Sequence, residues 1–408
     1  MTLPVRSSPP FLGIRFAVLM FLNYATQGAF VPLFSVRLRE LGLTPVQIGW
    51  ASAISAMAAL VGPLAAGQVA DRSFPAQRCL SVCALIASSL LVFLSGLTDP
   101  LAVSVTTLAI WLVLGPANTL CAAMCFAHLP QPEQDFGRVR MWGTIGWVWA
   151  GWFMGFWLSR PLWLRMTPGD SSMADIFRLA AVMALALSAY ALSLPHTPPQ
   201  KRAGHWLAPL VAFRLLRSRA FFTYWICSFG MCVTLPFMIQ LAPLLLFQLG
   251  VPRAWLGPTM TISQSTEIFS LALLPMLFLR LSIRGTMFLG AAAWTLLLIV
   301  LMIGNPLWLV IAALSMNGLF ICCFFVAGQV FVNSRARGDV RASAQALLAF
   351  INALGLLTGN LVAGWVHELA GGEFGPTFAV AAAIAGIMVI LFVAGFRDRK
   401  RDEPAGGG

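Results

Sequence analysis

The chain has 408 residues, of which 59% are hydrophobic and only 10% are charged, and its mean hydropathy is +0.84. A water-soluble protein of this size needs far more charge to cover its surface, so the composition excludes the soluble classes. The net charge of +12 would favour nucleic-acid binding in a soluble protein. In a membrane protein such charge collects in the loops on one side. We therefore predict that this chain lies in a lipid bilayer and does not bind nucleic acid.

Apolar stretches of about 20 residues, the length that crosses a bilayer, recur along the whole chain. They are numbered here as spans 1 to 12 in chain order, and they lie near residues 12–35, 46–69, 79–97, 101–127, 137–159, 174–195, 220–248, 254–279, 285–304, 306–334, 343–366 and 375–396. The sequence therefore predicts an all-α integral membrane protein with twelve transmembrane helices and short loops.

The basic residues are distributed unequally between the two sides of the membrane. If the N-terminus is inside, 20 of the 26 Lys and Arg residues fall on the cytoplasmic side. The other six are Arg37, Arg39, Arg160, Arg165, Arg178 and Arg253. An excess of Lys and Arg marks cytoplasmic loops. We therefore predict that both termini lie in the cytoplasm, and we separately expect a monomer in a bacterial inner membrane.

The longest polar interruption, from His196 to Ser218, divides the chain into two blocks of six spans. It predicts an N-terminal six-helix bundle over residues 1–197, a cytoplasmic linker over 198–219 and a C-terminal six-helix bundle over 220–408. Two six-helix halves related by pseudo-two-fold symmetry are the layout of the major facilitator fold, whose substrate site lies near the bilayer midplane between the halves.

The loop after span 2 contains a pattern that resembles the cytoplasmic signature of major facilitators. Its members are Gly67, Asp71, Arg72 and Arg78, and the matching loop after span 8 lacks the aspartate. We predict that this cytoplasmic gate motif is a charge latch at the ends of helices and does not contact substrate.

Glu267 lies inside an apolar run, whereas the other 13 of the 14 acidic residues fall in or beside polar breaks. A charge at bilayer depth costs about 3 kcal/mol or more, so such a residue is a candidate functional site. Met260, Ser263, Gln264 and Ser270 follow the 3–4 spacing that places them on the same helix face as Glu267. The sequence predicts a proton-coupling or substrate-binding acid. The alternative is a fixed strut between Glu267 and an arginine of a neighbouring helix.

Span 5 carries the predicted partner of Glu267. Arg140, Thr144, Trp147 and Gly151 lie at offsets of 0, 4, 7 and 11 residues, so they share one helix face. This face suits a planar polar substrate. The indole would stack on the substrate, and the guanidinium and the hydroxyl would form hydrogen bonds with it. The alternative for Arg140 is a cytoplasmic anchor at the start of the helix.

Two amides in span 1, Asn23 and Gln27, are four residues apart and are further predicted substrate-lining residues. The sequence contains no evident nucleophile–base pair, phosphate-binding loop or metal-ligand cluster. We therefore predict no enzyme activity, no cofactor and no metal.

Several of these segments together resemble the nucleoside:proton symporters of the major facilitator superfamily, the bacterial nucleoside permeases. The matching segments are 140–146, 194–198, 263–267 and 341–345, and their order and spacing hold across nearly the whole chain. The resemblance implies inward cotransport of a nucleoside with a proton by alternating access. It also places five residues at the family's substrate-cavity positions: Arg140, Thr144, Trp147, Gln264 and Glu267.

The chain departs from the permease pattern at three positions. Cys322 stands where the permeases carry an aspartate in span 10, and Thr234 and Phe237 stand near their polar Gln and Asn in span 7. Sugar hydroxyls normally need such acceptors. The alternatives to nucleoside symport are a carrier of another small organic solute such as an aromatic acid or a sugar, a transport-inactive membrane sensor, and uncoupled facilitation.

Overall fold

The structure is a computed structural model that describes residues 12–70, 75–130, 132–160, 173–197, 218–335 and 341–396. Within these ranges the chain forms helices joined by short turns. The helices are Leu12–Phe30 (α1), Phe34–Glu40 (α2), Pro45–Ala70 (α3), Ala76–Gly96 (α4), Pro100–His128 (α5), Pro132–Ser159 (α6), Asp175–Leu192 (α7), Arg219–Pro236 (α8), Ala242–Gln248 (α9), Arg253–Met260 (α10), Ile262–Ile303 (α11), Leu307–Ala313 (α12), Ser315–Phe320 (α13), Ala327–Arg335 (α14), Arg341–Leu369 (α15) and Phe374–Gly395 (α16).

These helices account for the twelve predicted spans. In the described part of the chain, nine stretches are long and apolar enough to cross a membrane. The longest, Arg253–Ile303, holds two spans because the backbone turns at Ser282, whose φ of 62° is not helical. The nine stretches thus contain ten of the predicted spans, and helices α3 and α6 are the other two. The prediction of twelve transmembrane helices is confirmed.

Three spans contain irregular segments, two of them at or near prolines. Pro236 ends α8, and a π-helical segment over Phe237–Leu241 leads into α9. A second π-helical segment, Ile321–Val326, joins α13 to α14. In span 8, α10 contains Pro258 and ends at Met260, and α11 begins at Ile262. Proline lacks an N–H donor and disrupts the helical ladder, and π-helical segments occur frequently at functional sites.

The chain forms two compact units. Unit 1 consists of Met1–Leu41, Ala58–Arg202 and Pro252–Thr261, and unit 2 of Gly42–Met57, Ala203–Val251 and Ile262–Gly408. Helix α10 thus belongs to unit 1, and the first part of α3 belongs to unit 2. The division into bundles at residues 1–197 and 220–408 stays a prediction.

In unit 1 the core lies where α1, α4, α5 and α7 meet. Leu80, Ala84, Ala87 and Leu91 of α4 are fully buried at the 3–4 spacing of one helix face. The opposite face of α4 is also apolar but exposed; Phe93, for example, is 60% exposed. An exposed apolar face is what a helix presents to lipid, so the burial pattern fits a membrane-spanning bundle.

In unit 2, small residues bring helices into backbone contact. A Cβ at Gly359 of α15 would lie 2.3 Å from the carbonyl oxygen of Val233 in α8, and one at Gly290 of α11 would lie 2.8 Å from the backbone nitrogen of Phe324. Close approach at small residues is the usual packing of transmembrane helices, because apolar burial alone does not drive helices together in lipid.

Candidate functional site

Arg140 of α6 lies against Tyr24 of α1. Its guanidinium carbon is 3.9 Å from the centre of the Tyr24 ring. Gly143, one turn further along α6, leaves room for both groups, since a Cβ there would lie 2.6 Å from Cδ2 of Tyr24 and 2.9 Å from Nη1 of Arg140. Both side chains are half-buried. None of the ion pairs found within the described residues of unit 1 involves Arg140.

Two backbone contacts, one before and one after Tyr24 in α1, fix α1 against α6. A Cβ at Gly146 would lie 2.3 Å from the carbonyl oxygen of Phe21, and a Cβ at Gly28 would lie 2.7 Å from Cα of Trp147. Neither contact can form with a larger residue unless a helix moves. On α6 both contacts lie at residues 146 and 147, directly after Thr144, so the height of α6 relative to α1 is set within one turn of Thr144.

The predicted face of α6 is divided between two environments. Arg140, Thr144 and Trp147 keep half-buried side chains. Gly151 instead packs on α10 and on the residue that follows it, because a Cβ there would lie 3.3 Å from the carbonyl oxygen of Gly257 and 2.7 Å from Cγ2 of Thr261. On this face, Arg140, Thr144 and Trp147 therefore keep side-chain surface that the described residues of unit 1 leave uncovered, whereas Gly151 does not.

The span 1 amides form a buried cluster with Asn118 of α5. Asn23 and Gln27 are 0% and 5% exposed. The Asn118 Oδ1 atom accepts hydrogen bonds from Nδ2 of Asn23 at 2.6 Å and from Nε2 of Gln27 at 2.8 Å. The buried Oδ1 atom of Asn23 has no hydrogen-bond partner among the described residues. The two amides thus join α1 to α5, and the Oδ1 atom of Asn23 remains as an acceptor that these bonds do not use.

Glu267 lies where α11 touches α13. A Cβ at Gly318 of α13 would lie 2.3 Å from the backbone nitrogen of Glu267 and 2.6 Å from the carbonyl oxygen of Ser263. The side chain of Glu267 is half-buried. Gln264, also half-buried, accepts a hydrogen bond at 2.8 Å from the Ser263 hydroxyl. Glu267 is therefore fixed at its backbone by a helix contact and has partly open surface at its side chain.

The two span 7 positions that depart from the permease pattern are inside the core of unit 2. Thr234 and Phe237 are both 0% exposed. The Trp294 indole donates a hydrogen bond at 2.7 Å to the Thr234 hydroxyl, which itself donates at 2.7 Å to the carbonyl of Met231. The Trp294 ring also stacks on Phe320, with 4.4 Å between centroids. This contact could not be predicted from the sequence, because a tryptophan in an apolar span is as compatible with lipid contact as with a core position.

The cytoplasmic gate motif is only partly visible. Gly67 lies in α3, whereas Asp71 and Arg72 lie outside the described residues. Arg78 is exposed in the first turn of α4, where its N–H donates to the carbonyl of Pro75 at 3.0 Å. Its role as a charge latch stays a prediction.

The segment after α7, which carries part of the family resemblance, is tied to the neighbouring helices. The Thr197 N–H donates to Oε1 of Gln77 at 3.0 Å, and the Thr197 hydroxyl pairs with Nε2 of His128 at 2.8 Å. The Gln77 amide also pairs with Nδ1 of His196 at 3.0 Å. These bonds anchor the segment to α4 and α5 and indicate a structural role.

The predicted substrate and proton residues are distributed over both units. Asn23, Gln27, Arg140, Thr144 and Trp147 belong to unit 1. Gln264 and Glu267 belong to unit 2. Their functional roles stay predictions. Tyr24 is the neighbour of this set that sequence reasoning did not select, although its place in span 1 between Asn23 and Gln27 was a usable signal.

A comparison with known protein families matches residues 12–401 to the family described as "Nucleoside H+ symporter". Among similar proteins, YegT of Escherichia coli is 28% identical over 414 residues, which cover 96% of this chain and 95% of that protein. The xanthosine permease of Escherichia coli is 25% identical over 412 residues, which cover 95% of this chain and 96% of that protein.

Among solved structures, the nucleoside transporter NupG superposes with a TM-score of 0.83 at 22% identity, covering 95% of this chain and 99% of that chain. At this level of identity the likeness shows the fold. The major facilitator fold predicted from the sequence is confirmed.

Proposed function

The chain belongs to the nucleoside H+ symporter family, and we propose that it carries a nucleoside and a proton together into the cell by alternating access. The family match confirms the resemblance read from the sequence, and with it the prediction of a transporter and not an enzyme. The observation that carries the proposal within the structure is Glu267, a half-buried carboxylate inside a membrane span.

Proton coupling needs a group that changes its charge during the cycle. Glu267 lies 14 residues after the start of α10 at Arg253, which corresponds to about 20 Å along the span. A carboxylate at that depth is costly when ionised and uncharged when protonated. Loading and unloading a proton at Glu267 therefore changes the free energy of each conformation that buries or exposes it.

The position of Glu267 in the chain supports coupling of protonation to conformation. The polypeptide passes from unit 1 to unit 2 between Thr261 and Ile262, where the helix is interrupted. Glu267 follows this interruption by less than two helical turns. A change in the interactions of its carboxylate is thus transmitted over a short, helical path to the point where span 8 changes units.

For the substrate, the half-buried groups of α6 supply complementary chemistry. The indole of Trp147 offers an apolar face for a nucleobase, while Arg140 and Thr144 offer hydrogen-bonding groups. The amide of Gln264 and the free Oδ1 acceptor of Asn23 are further proposed contacts, and Gln27 holds Asn23 in place through Asn118.

We also propose that the protein works as a monomer in a bacterial inner membrane with both termini in the cytoplasm. The excess of Lys and Arg in the loops assigned to that side supports this orientation. The accessibility of single cysteines placed at the two termini and in the loop at Gly250 to a membrane-impermeant reagent tests it.

The test of symport is uptake of labelled uridine and adenosine into proteoliposomes, with and without an inward proton gradient. We expect wild-type protein to concentrate nucleoside only with the gradient. Glu267→Gln is expected to lose concentrative uptake and to keep exchange of labelled for unlabelled nucleoside, because exchange needs no net proton movement. Glu373→Gln removes an exposed carboxylate at the start of α16 and is the matched control, with uptake like wild type.

Two outcomes would contradict this proposal. Gradient-driven uptake that survives in Glu267→Gln would assign Glu267 the role of a fixed strut. Absence of nucleoside uptake and exchange by folded wild-type protein would refute the nucleoside assignment.

A carrier of another small organic solute is the second candidate. The Thr234 hydroxyl is already bonded to Trp294, Phe237 is buried, and Cys322 replaces a carboxylate. Acceptors for sugar hydroxyls are therefore missing at the positions where the family resemblance places them. Competition of unlabelled aromatic acids, nucleobases and nucleosides with bound labelled uridine separates this candidate from the first.

A further inference from the structure

We propose that Tyr24 is a positioning residue that holds the guanidinium of Arg140 so that its N–H donors face the substrate. The substrate part of this inference rests on the proposed function, whereas the contact between the two side chains does not. It assigns a role in recognition to an aromatic residue of α1 that itself needs no contact with the transported molecule.

The contact has the geometry of a cation–π interaction. The guanidinium carbon lies 3.9 Å from the ring centre, well within the distance of about 6 Å at which such pairs attract. The attraction arises between the charge and the electron-rich ring face, so it does not require any N–H to point at an acceptor atom. A carboxylate partner would instead occupy two of the five guanidinium donors.

The backbone around Tyr24 makes this a fixed platform. The contacts of Phe21 with Gly146 and of Gly28 with Trp147 lie one turn before and one turn after Tyr24. Neither helix can slide without breaking one of them. The ring therefore has a defined height relative to Arg140, which a mobile surface aromatic would lack.

Gly143 provides the space in which the pair meets. A Cβ at this position would overlap both the ring, at 2.6 Å from Cδ2, and the guanidinium, at 2.9 Å from Nη1. Two side chains that converge on a glycine from different helices are packed against each other and not merely near each other. This restricts the rotamers of Arg140 before substrate binds, and a restricted side chain loses less entropy on binding.

The first test compares three variants in the labelled-uridine assay. Tyr24→Leu removes the ring and Tyr24→Phe keeps it. Phe21→Leu removes the neighbouring α1 aromatic, whose ring centre lies 5.6 Å from that of Trp149. We expect KM to rise by roughly 3- to 30-fold in Tyr24→Leu, the range between an exposed and a desolvated cation–π contact, with a smaller change in kcat. Tyr24→Phe is expected to stay within about 2-fold of wild type, as is Phe21→Leu.

Equal loss in Tyr24→Phe and Tyr24→Leu would overturn the proposal, because the hydroxyl and not the ring would then carry the effect. Equal loss in Phe21→Leu and Tyr24→Leu would also overturn it, since α1 packing in general would then explain both.

The second test needs no transport. Phenylglyoxal modifies arginine side chains, and mass spectrometry of the peptide that contains Arg140 gives the modification rate in purified protein. We expect Tyr24→Leu to raise this rate several-fold and Tyr24→Phe to leave it unchanged. An unchanged rate in Tyr24→Leu refutes the contact whatever the transport result. A raised rate in a protein that binds no nucleoside supports the contact and refutes only the substrate assignment.

Discussion

Replacement of Gly318 by alanine should separate α11 from α13 at Glu267. The added Cβ would lie 2.3 Å from the backbone nitrogen of Glu267, whereas ordinary contact begins at 3.4 Å. The helices must therefore move apart by about 1.1 Å at this point. The obstructing atoms belong to the backbone of Ser263, Thr266 and Glu267, so no side chain can rotate out of the way.

The expected cost follows from overpacking. Extra methyl groups in a packed core destabilise by about 1–3 kcal/mol, and backbone obstruction places Gly318→Ala near 3 kcal/mol. We expect a lower midpoint of thermal unfolding in detergent. Since displacement of a functional group by about 1 Å reduces rates by up to about 100-fold, we also expect gradient-driven uptake to fall by roughly 10-fold or more.

Gly386→Ala is the matched control for this experiment. It introduces the same methyl group in α16 of the same unit, where nothing lies within 4 Å of the new atom. We expect stability equal to wild type or higher by up to about 1 kcal/mol, because alanine favours the helix. If Gly318→Ala unfolds and transports like Gly386→Ala, the α11–α13 contact is not tight and does not position Glu267.

Three further substitutions test other contacts. Asn118→Leu removes the acceptor shared by the two α1 amides, so we expect a loss of about 2–3 kcal/mol in stability, and an unchanged unfolding midpoint would contradict the cluster. Thr234→Val leaves the Trp294 indole N–H without its acceptor, which should cost about 1–3 kcal/mol while KM for nucleoside stays unchanged; a raised KM would show that the hydroxyl contacts substrate. Glu40→Gln breaks a partly exposed ion pair with Arg253, for which we expect less than about 1 kcal/mol, measured as a difference in unfolding midpoint that 1 M salt abolishes.

The fold was predictable because its main determinant is local. A run of about 20 apolar residues must cross the bilayer as a helix, since lipid cannot satisfy an open backbone. The sequence could not predict which segments belong to which compact unit. For example, α10 belongs to unit 1 because it packs closely on Gly151 and Gly155 of α6, where an added Cβ would overlap it. A contact between residues about 100 positions apart in the chain leaves no periodic signal in the sequence.

The sequence was enough to predict which residues of the candidate site share a helix face, but not which neighbours they contact. Helical spacing placed Arg140, Thr144, Trp147 and Gly151 on one face, but only the structure shows that Gly151 is covered by α10. Periodicity gives an angle around the helix axis, and it does not name the neighbour at that angle. The same limit explains why Tyr24 was one polar residue among several in the sequence and becomes the ring beneath Arg140 in the structure.

The distribution of bonded polar groups suggests which helices carry specificity. In unit 2, the Ser228 hydroxyl donates to Asn352 at 2.7 Å, Gln240 donates to Asn360, and Thr234 accepts from Trp294. Each of these groups would have to break a buried bond before it could bind a solute, at a cost of about 1–3 kcal/mol.

No such cost arises for the guanidinium of Arg140 among the described residues, where it is held by the ring face of Tyr24. We therefore expect that substitutions at Thr144 and Trp147 change which solute is preferred, whereas substitution of Glu267 changes the dependence on the proton gradient. Solute competition profiles measured on the same proteoliposomes separate the two effects. A Glu267→Gln protein with an altered preference and intact coupling would reverse the roles assigned to α6 and α11.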